Sequence, residues 1–271
     1  MQNMNAIRQH VVELARGAGE IIMDHYGKRH NIDYKAKHDV VTEADKAAEA
    51  YIVPALAAAY PTHHIVGEEG GSTGAPFEES EYRWYIDPID GTTNYAAHIP
   101  HFCTSIALAD ADNQPILGVI YDPNRDELFV AERGIGATMN DEPIAVSTVS
   151  DLDNAVVGTG FPYDRHSNLE NNYAQFEYFA SRVRGIRRFG SAALDISWVA
   201  CGRLDAYWEW RLSRWDFFAG WLMVTEAGGV VSDFSGGTGD LLNSGRQILV
   251  TSNNINTPML DGMASILHPT A

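Results

Sequence analysis

The chain has 271 residues, of which 45% are hydrophobic and 20% are charged, and this composition is typical of an ordinary globular protein. Its 36 acidic residues outnumber the 19 basic ones and give a formal net charge of -17, which argues against direct binding to nucleic acid or to an anionic membrane. The two cysteines cannot define a disulfide framework, and the sequence shows neither a signal peptide nor an apolar run long enough to cross a bilayer. We therefore expect a cytoplasmic chain that folds as a single domain over residues 1–271, with approximate halves 1–150 and 151–271.

The first half of the chain begins with two predicted helices. Apolar side chains recur at helical spacing over residues 5 to 26, and Gly27 is a typical stop. A second helix is predicted from about residue 42 to 59, because Thr42 is a good N-cap and acidic residues follow it, while Pro54 indicates a kink or an earlier end. Strands are predicted in "HHIVGEEG" and "RWYIDP", with a polar, Gly-rich surface loop at residues 70–82 between them.

The rest of the chain alternates between strand and helix signals. Residues 102 to 146 are predicted to be mostly β, because short apolar segments alternate there with turn signals. Residues 150 to 185 show little pattern. Strand and helix segments then follow one another in "RRFGSAALDISWVACG", "DAYWEW", "WDFFAGWLMVTEAGG", "GGVVSDF" and "RQILVTSN". Because no regular βαβ repeat is present, this order predicts an α+β fold of layered helices and mixed sheets.

Four acidic stretches lie where predicted elements begin or end. They are "DVVTEAD" at 39–45, "GEEG" at 67–70, "DPIDGTTN" at 87–94 and "WDFFAG" at 215–220. Taken singly, three of them have a structural explanation, since Asp45 and Asp216 would cap helices and Glu68 would lie in a solvated turn. A functional interpretation therefore depends on the stretch at 87–94.

That stretch places two carboxylates three residues apart at the end of a buried strand. Asp87 and Asp90 would repel each other unless a proton or a cation lies between them, and hard oxygen donors suit Mg²⁺ or Mn²⁺. Gly91, Thr92 and Thr93 follow at the start of a predicted helix, where backbone N–H groups and hydroxyls suit a phosphate oxygen. Cations and N–H donors in one place indicate chemistry on a phosphate monoester.

In this order and spacing, the motifs resemble those of the inositol monophosphatase family of Mg²⁺-dependent, lithium-sensitive phosphatases. "GEEG" precedes "DPIDGTTN" and "WDFFAGWLMVTEAGG" follows it, while "DVVTEADKAAE" and "GSAALDISWVACGRLDAYWE" extend the resemblance over nearly the whole chain. The resemblance implies the layered αβαβα sandwich of the sugar-phosphatase superfamily. It also implies two or three bound Mg²⁺ ions, with Mn²⁺ as a substitute, and by analogy a homodimer.

The resemblance assigns roles to individual residues as well. The implied metal ligands are Glu68, Asp87 and the backbone carbonyl of Ile89 for one ion, and Asp87, Asp90 and Asp216 for a second. A further weakly held ion would lie near Glu68. A metal-activated water oriented by Glu68 and the Thr92 hydroxyl would attack phosphorus in line, and Asp45 would hold Thr92 in position. The second metal would stabilise the leaving alkoxide while a water near Asp216 returns the proton, so no phosphoenzyme is needed.

Substrate contacts are also implied by the resemblance. They are Asp90, Gly91, Thr92 and Asp216 around the phosphate, and Gly190, Ser191, Ala192 and Glu209 around the polyol. Glu209 has the family spacing of seven residues before the metal-binding Asp216, although an exposed strand residue paired with Arg211 or Arg214 is the alternative. Trp210 and Arg214 depart from the family pattern, in which a proline is frequent at the position of Arg214. These bulky neighbours leave the identity of the leaving group open.

Other polar residues carry weaker signals. Lys35 or Lys37 would match a basic residue near the first loop of the family. His98 and His101 have a spacing seen in metal sites, but no third ligand is evident in the sequence, so a loop or core role is favoured.

The sequence therefore predicts a Mg²⁺-dependent phosphomonoesterase whose partner is a small-molecule phosphate monoester, myo-inositol 1-phosphate or a similar polyol phosphate. Histidinol phosphate, fructose 1,6-bisphosphate and 3′-phosphoadenosine 5′-phosphate are alternative substrates of the same fold. A second interpretation is a regulatory binding protein of transcription or ribosome assembly. The intact metal ligands argue against a purely non-catalytic role, and the net charge argues against direct RNA contact.

Overall fold

The computed structural model describes residues 3–28, 32–36, 39–243 and 246–267. The helices are α1 (Met4–His25), α2 (Glu43–Ala59), α3 (Thr92–Ala96), α4 (Tyr173–Ala180), α5 (Ala192–Ala200), α6 (Arg214–Glu226), α7 (Gly239–Asn243) and α8 (Asn256–Leu267). The strands are β1 (Ile32–Ala36), β2 (Asp39–Thr42), β3 (His64–Gly67), β4 (Gly71–Gly74), β5 (Arg83–Asp90), β6 (Cys103–Ala109), β7 (Pro115–Asp122), β8 (Glu127–Glu132), β9 (Gly136–Met139), β10 (Glu142–Pro143), β11 (Val156–Thr159), β12 (Gly185–Arg187), β13 (Ala206–Trp210), β14 (Val230–Ser232) and β15 (Gln247–Thr251). Among the described residues, no helix is both long and apolar enough to cross a membrane.

Two mixed sheets contain most of the strands. The first has the order β10-β9-β8-β7-β6-β5-β3-β4, in which β3 and β5 are parallel and the other neighbours are antiparallel. The second has the order β12-β11-β13-β15-β14, in which β11 is parallel to β12 and β13 whereas β15 is antiparallel to both of its neighbours. A separate antiparallel pair is formed by β1 and β2. The predicted mixed sheets are therefore confirmed.

The helices form three layers around the two sheets. One face of the eight-stranded sheet is covered by α1 and α2, while α5 and α6 lie between the sheets and α4 and α8 cover the outer face of the five-stranded sheet. Side chains along β5 alternate between two of these layers, because Trp84 and Ile86 pack with α1 and α2 whereas Tyr85 packs with α6. The resulting αβαβα order confirms the predicted α+β sandwich.

The helix α6 is apolar on all sides because it lies between two sheets. Residues 217–224 of this helix are all buried, which is typical of a helix inside a core. Its contact with the eight-stranded sheet depends on Gly118 of β7, where an added Cβ would lie 2.7 Å from the carbonyl oxygen of Ala219. This close approach fixes the position of the helix that begins next to Asp216.

Several local features differ from the predicted elements. The helix α2 continues through Pro54, where a kink or an earlier end is predicted. The carbonyl that loses its hydrogen bond belongs to Ala50, which is exposed, so water can satisfy it. The strand β4 lies in the predicted surface loop, and its four residues are exposed and lack hydrophobic alternation. No elements are predicted where β1, β11, α4 and α8 form.

Gly118→Ala should lower the free energy of unfolding by about 1–3 kcal/mol, because the added methyl group would push α6 away from β7 inside a close-packed interior. Denaturation in urea, followed by tryptophan fluorescence, measures the change. Gly239→Ala is the matched control, since a Cβ at that position meets nothing within 4 Å. Wild-type stability of Gly118→Ala would contradict the close contact between α6 and the sheet.

Candidate active site

Asp87 and Asp90 lie close together because β5 contains a bulge between them. In a regular strand, residues three positions apart point to opposite faces of the sheet. Here Asp87 pairs with Ser105 and Asp90 pairs with Cys103, so three steps along β5 match two steps along β6. The extra residue turns Asp90 towards the face that Asp87 shares with Tyr85, which is the face of the middle helix layer.

Asp216 and Glu68 complete an acidic cluster around these two residues. Asp216 is the third residue of α6, and its Oδ2 accepts a hydrogen bond of 2.6 Å from the backbone N–H of Ser213 in a capping box. Glu68 directly follows β3, the parallel neighbour of β5. Carboxylate oxygens of Asp87, Asp90 and Asp216 lie within 4.8 Å of one another, and Glu68 lines the same cavity. The structure thus brings together all four predicted carboxylate ligands.

The cluster concentrates negative charge in a buried place. Burial raises the pKa of Asp87 well above its ordinary value, and the charges of the three neighbouring carboxylates raise it further. The pKa of Asp216 is also well above its ordinary value, because of burial first and then the charges of Asp90 and Glu68. Burial raises the pKa of Asp90 to about 6, although a hydroxyl and a backbone N–H at the start of α5 lower it. Charged forms of these groups therefore need an additional positive partner.

The donor set fits a divalent cation. Oδ1 of Asp87 is buried and has no hydrogen-bond partner among the described residues, which is a costly arrangement for a carboxylate. The backbone carbonyl of Ile89 accepts a hydrogen bond of 3.0 Å from the Thr92 hydroxyl and keeps a second lone pair. Carboxylate and carbonyl oxygens are the ligands that Mg²⁺ and Mn²⁺ prefer. The roles of the individual ligands stay predictions.

The Thr92 hydroxyl is held from the first turn of α2. Its Oγ1 lies 3.3 Å from Oδ1 of Asp45 and 3.0 Å from the Ile89 carbonyl, and its single proton can go to either acceptor. Oδ2 of Asp45 accepts hydrogen bonds from the backbone N–H of Thr42 at 2.8 Å and from its hydroxyl at 2.5 Å. This capping box fixes Asp45. Because both neighbours of the Thr92 hydroxyl are acceptors, its oxygen keeps its lone pairs for another donor.

The predicted substrate turn from Gly190 to Ala192 packs against the loop of Asp90. Gly91 has a φ of 98°, and an added Cβ there would lie 3.0 and 3.2 Å from two backbone carbonyl oxygens, one of them that of Gly190. The Ser191 hydroxyl donates a hydrogen bond of 2.6 Å to Asp90, and the backbone N–H two residues later donates to the same oxygen at 2.6 Å. The proton of Ser191 is therefore directed to the acidic cluster.

Glu209 lies on β13 and lines the same cavity. Its side chain is only 7% exposed, so the alternative of an exposed strand residue is wrong. Arg211 pairs with Asp164 at 2.7 Å, and Arg214 donates to a backbone carbonyl at 2.8 Å. Burial raises the pKa of Glu209 to about 7, although the hydroxyl of Tyr207 donates a hydrogen bond to it and lowers the value. Near neutral pH this carboxyl therefore exchanges between a hydrogen-bond acceptor and a protonated form.

A cavity of about 430 Å³ connects these groups, and every predicted site residue except Asp45 lines it. Sequence reasoning missed Tyr163, Arg188 and Tyr207, which line it too. Tyr207 was detectable, because it lies two residues before Glu209 on one strand and so shares its face. Nothing in the sequence marks the two loop residues. A larger groove of about 820 Å³ shares part of the cavity wall, but none of the predicted acids lines it.

The weaker histidine and lysine signals have separate outcomes. His101 is buried, and its Nε2 lies 3.0 Å from Oδ1 of Asp195, which agrees with the favoured core role. His98 is exposed, and its ring packs edge-on against the ring of Tyr26, the C-cap residue of α1. The predicted contact of Lys35 or Lys37 lies outside the described side chains.

Comparisons with known proteins agree with this geometry. A model described as the inositol monophosphatase family matches residues 3–265. The inositol-1-monophosphatase of Synechocystis sp. is 44% identical over 254 residues, which cover 93% of this chain and 87% of the relative. A Pseudomonas aeruginosa protein named Nus factor SuhB is 46% identical over 226 residues, which cover 82% of this chain and 83% of the relative.

A solved structure shows the same architecture. The inositol monophosphatase from Anabaena (Nostoc) sp. superposes with a TM-score of 0.87 at 39% identity, and the match covers 97% of each chain. The chain therefore belongs to the inositol monophosphatase family, and the family resemblance of its motifs is confirmed. Membership of this family supports phosphatase activity.

Without a cation, the protein should lose thermal stability as the pH rises from about 4 to about 7. Asp90 and Glu209 have ordinary pKa values of 3.8 and 4.5, and the folded state raises them to about 6 and about 7. The folded state thus holds protons that the unfolded chain releases, so the free energy of unfolding falls across this pH window. A bound dication would replace the proton of Asp90. We expect Mg²⁺ to raise the unfolding temperature strongly at about pH 7.5 and little at about pH 5.

Scanning calorimetry in chelator and in Mg²⁺, at both pH values, measures this effect. Asp87→Asn provides the matched variant, because it removes one charge of the cluster with little change of shape. It should unfold at a higher temperature than wild type in chelator and should lose most of the response to Mg²⁺. A response to Mg²⁺ that is equal at both pH values would contradict the assignment of the cluster as a cation site.

Proposed function

We propose that the chain is a Mg²⁺-dependent phosphomonoesterase that hydrolyses myo-inositol 1-phosphate or a similar polyol phosphate. The observation that carries this proposal is the cluster of Asp87, Asp90 and Asp216, whose oxygens lie within 4.8 Å of one another in the cavity that Glu209 also lines. The cluster suits cations and a phosphate group, and Glu209 suits the hydroxyls of a polyol.

The metal ligands follow the set derived from the family. Glu68, Asp87 and the Ile89 carbonyl would hold one Mg²⁺ ion, and Asp87, Asp90 and Asp216 a second, with a third ion near Glu68. When bound, Mg²⁺ neutralises the charge of the phosphate and lowers the pKa of a water that can act as the nucleophile. The unsatisfied Oδ1 of Asp87 supports its assignment as a metal ligand.

The chain's own groups would orient the reaction. The lone pairs of the Thr92 hydroxyl, which Asp45 holds in place, would accept a hydrogen bond from the attacking water, and the Glu68 carboxylate would accept another. Backbone N–H groups of Gly91 and Thr92 at the start of α3 lack intrahelical partners and would bind a phosphate oxygen. Asp216 would hold the proton donor for the leaving oxygen.

The polyol would be bound from the five-stranded sheet and its loops. Glu209 would accept hydrogen bonds from two hydroxyls of the polyol, and the Tyr207 hydroxyl, which donates to Glu209, fixes the orientation of its carboxylate. Gly190 and Ala192 would contact the ring through backbone groups. Arg188 lines the cavity as well and would bind an additional oxygen of the leaving group.

Exposed apolar side chains support a homodimer. Leu169 is 98% exposed, and Tyr163, Tyr173 and Phe176 in the same segment are also exposed. A local concentration of exposed apolar residues is typical of a subunit contact. The cytoplasmic location and the lack of direct nucleic-acid binding stay predictions from the sequence.

A second candidate function is a regulatory role in transcription or ribosome assembly. The observation in its favour is the similarity to a relative named Nus factor SuhB. The two roles differ in their dependence on the acidic cluster. A purely regulatory protein would retain its partners when Asp90→Asn is introduced, and affinity capture with this variant and wild type would recover the same transcription complexes.

Purified protein should release phosphate from myo-inositol 1-phosphate in the presence of Mg²⁺, and chelator or lithium should suppress the reaction. A panel that also contains histidinol phosphate, fructose 1,6-bisphosphate and 3′-phosphoadenosine 5′-phosphate, assayed by phosphate release, separates the substrates. A preference for one of the other three would correct the substrate. No release from any of the four would overturn the proposed enzyme.

Glu209→Gln should raise the KM for myo-inositol 1-phosphate about tenfold. The substitution replaces a charged hydrogen-bond acceptor by a neutral amide oxygen, and the weaker hydrogen bond costs about 1.4 kcal/mol of binding free energy. The KM for an aryl phosphate, which has no polyol, should change little. In wild type, the KM for the polyol phosphate should fall as the pH rises through about 7, the pKa of Glu209, and this dependence should disappear in the variant.

Steady-state kinetics with both substrates over this pH range provides the measurement. Glu226→Gln is the matched control, because Glu226 accepts a hydrogen bond of 2.8 Å from the Gly134 N–H and does not line the cavity. An equal loss for the two substrates in Glu209→Gln would refute a role in polyol binding.

A further inference from the structure

Glu49 is a buried acid to which the proposed reaction gives no role. It lies in α2, four residues after Asp45, so the two carboxylates project from the same face of the helix. Its side chain is only 6% exposed. Asp45 contacts Thr92, whereas Glu49 contacts the turn after β3 that carries Glu68. A buried acid is uncommon without specific partners, and two partners of Glu49 are backbone N–H groups of that turn.

The turn wraps closely around the Glu49 carboxylate. Oε2 accepts a hydrogen bond of 2.9 Å from the N–H of Glu69, and Oε1 accepts one of 2.5 Å from the N–H of Gly70. An added Cβ at Gly67 would lie 2.5 Å from Oε2, and one at Gly70 would lie 2.8 Å from Oε1. The two glycines therefore allow the backbone to approach the carboxylate, and hydrogen bonds from N–H groups to a charged acceptor are strong.

These contacts fix the backbone on both sides of Glu68. Its own N–H donates a hydrogen bond of 3.1 Å to the carbonyl of Ile86 in β5. The next N–H, that of Glu69, donates to Glu49 in α2. Both peptide groups that flank the Glu68 Cα are thus held by buried partners in regular elements. A ligand on a backbone fixed in this way loses little further freedom when it binds a cation.

We propose that Glu49 is a positioning residue that holds the Glu68 carboxylate in place for cation binding. The proposal rests on the proposed function, in which Glu68 is a ligand of the first Mg²⁺ ion. Replacement of a group that orients a metal ligand typically lowers the metal affinity by about 10- to 100-fold. Glu49 would act on the cation through the Glu69 peptide group and not by direct contact.

A purely structural role for Glu49 makes different predictions. If Glu49 only anchors the turn, its replacement lowers the stability of the protein and leaves cation affinity unchanged in the folded fraction. Asp233 provides a matched control of this kind, because its Oδ1 accepts hydrogen bonds from the N–H groups of Ser235 at 2.8 Å and Gly237 at 2.9 Å. Asp233 follows β14 and does not line the cavity.

The test compares Glu49→Gln and Asp233→Asn with wild type. Binding of Mn²⁺ is measured from the electron paramagnetic resonance signal of the free ion, and Mg²⁺ activation from phosphate release over a range of Mg²⁺ concentrations. We expect Glu49→Gln to weaken Mn²⁺ binding and to raise the half-activating Mg²⁺ concentration by about tenfold or more, with a smaller change of kcat at saturating Mg²⁺. Asp233→Asn should change neither. Glu49→Asp, which keeps the charge, should restore part of the affinity.

A double-mutant cycle with Glu68→Gln tests whether the effect passes through Glu68. In the Glu68→Gln background, Glu49→Gln should have little further effect on Mn²⁺ affinity. Gly67→Ala, which presses on the carboxylate from the strand side, should resemble Glu49→Gln and serves as a second variant if that protein does not fold. Wild-type Mn²⁺ affinity in folded Glu49→Gln, or an undiminished effect in the Glu68→Gln background, would overturn the positioning role. Failure of wild type itself to bind Mn²⁺ and release phosphate would instead overturn the proposed function.

Discussion

Repulsion among the closely spaced carboxylates of Asp87, Asp90 and Asp216 is the constraint on which the arrangement of the site depends. Three helices begin beside these acids: α3 starts two residues after Asp90, the first turn of α5 donates an N–H group to Asp90, and the first turn of α6 contains Asp216. The positive ends of the helix dipoles therefore offset part of the negative charge. The raised pKa values of the three clustered acids show that the offset is incomplete, and a divalent cation would supply the remaining positive charge.

The middle helix layer holds the acids in place through its contacts with the eight-stranded sheet. The helix α6 packs on the eight-stranded sheet at Gly118, and α5 contributes the Ser191 hydroxyl to Asp90. One turn further along α5, Asp195 contacts His101, which lies just before β6. The loop after β5 is thus attached to α5 at two places. Because these contacts are buried, the acids are held in position before any ligand arrives, as electrostatic catalysis requires.

Much of the site was predictable because its acids belong to motifs whose order and spacing resemble those of the family. Asp87 and Asp90 could be singled out from the residues alone, since they close an apolar strand, whereas Glu68 and Asp216 were assigned to the same site only through that resemblance. The bulge in β5 was not predictable, because it depends on the register of that strand with β6. The contact between Glu49 and Glu69 spans 20 positions and depends on how α2 packs on β3. Local periodicity contains no information about either feature.

In the proposed function, hydrolysis and recognition of the leaving group depend on residues in different parts of the fold. Asp87 and Asp90 belong to β5 and Asp216 belongs to α6, whereas Tyr163 and Arg188 lie on loops, which accept replacement more easily. The same hydrolytic chemistry can therefore serve different leaving groups, and a shared fold does not by itself decide between an enzyme and a regulatory protein. The acids do bear on that choice. Burying several carboxylates in mutual contact destabilises a protein that only binds a partner, and the arrangement is useful where a cation and a phosphate group complete it.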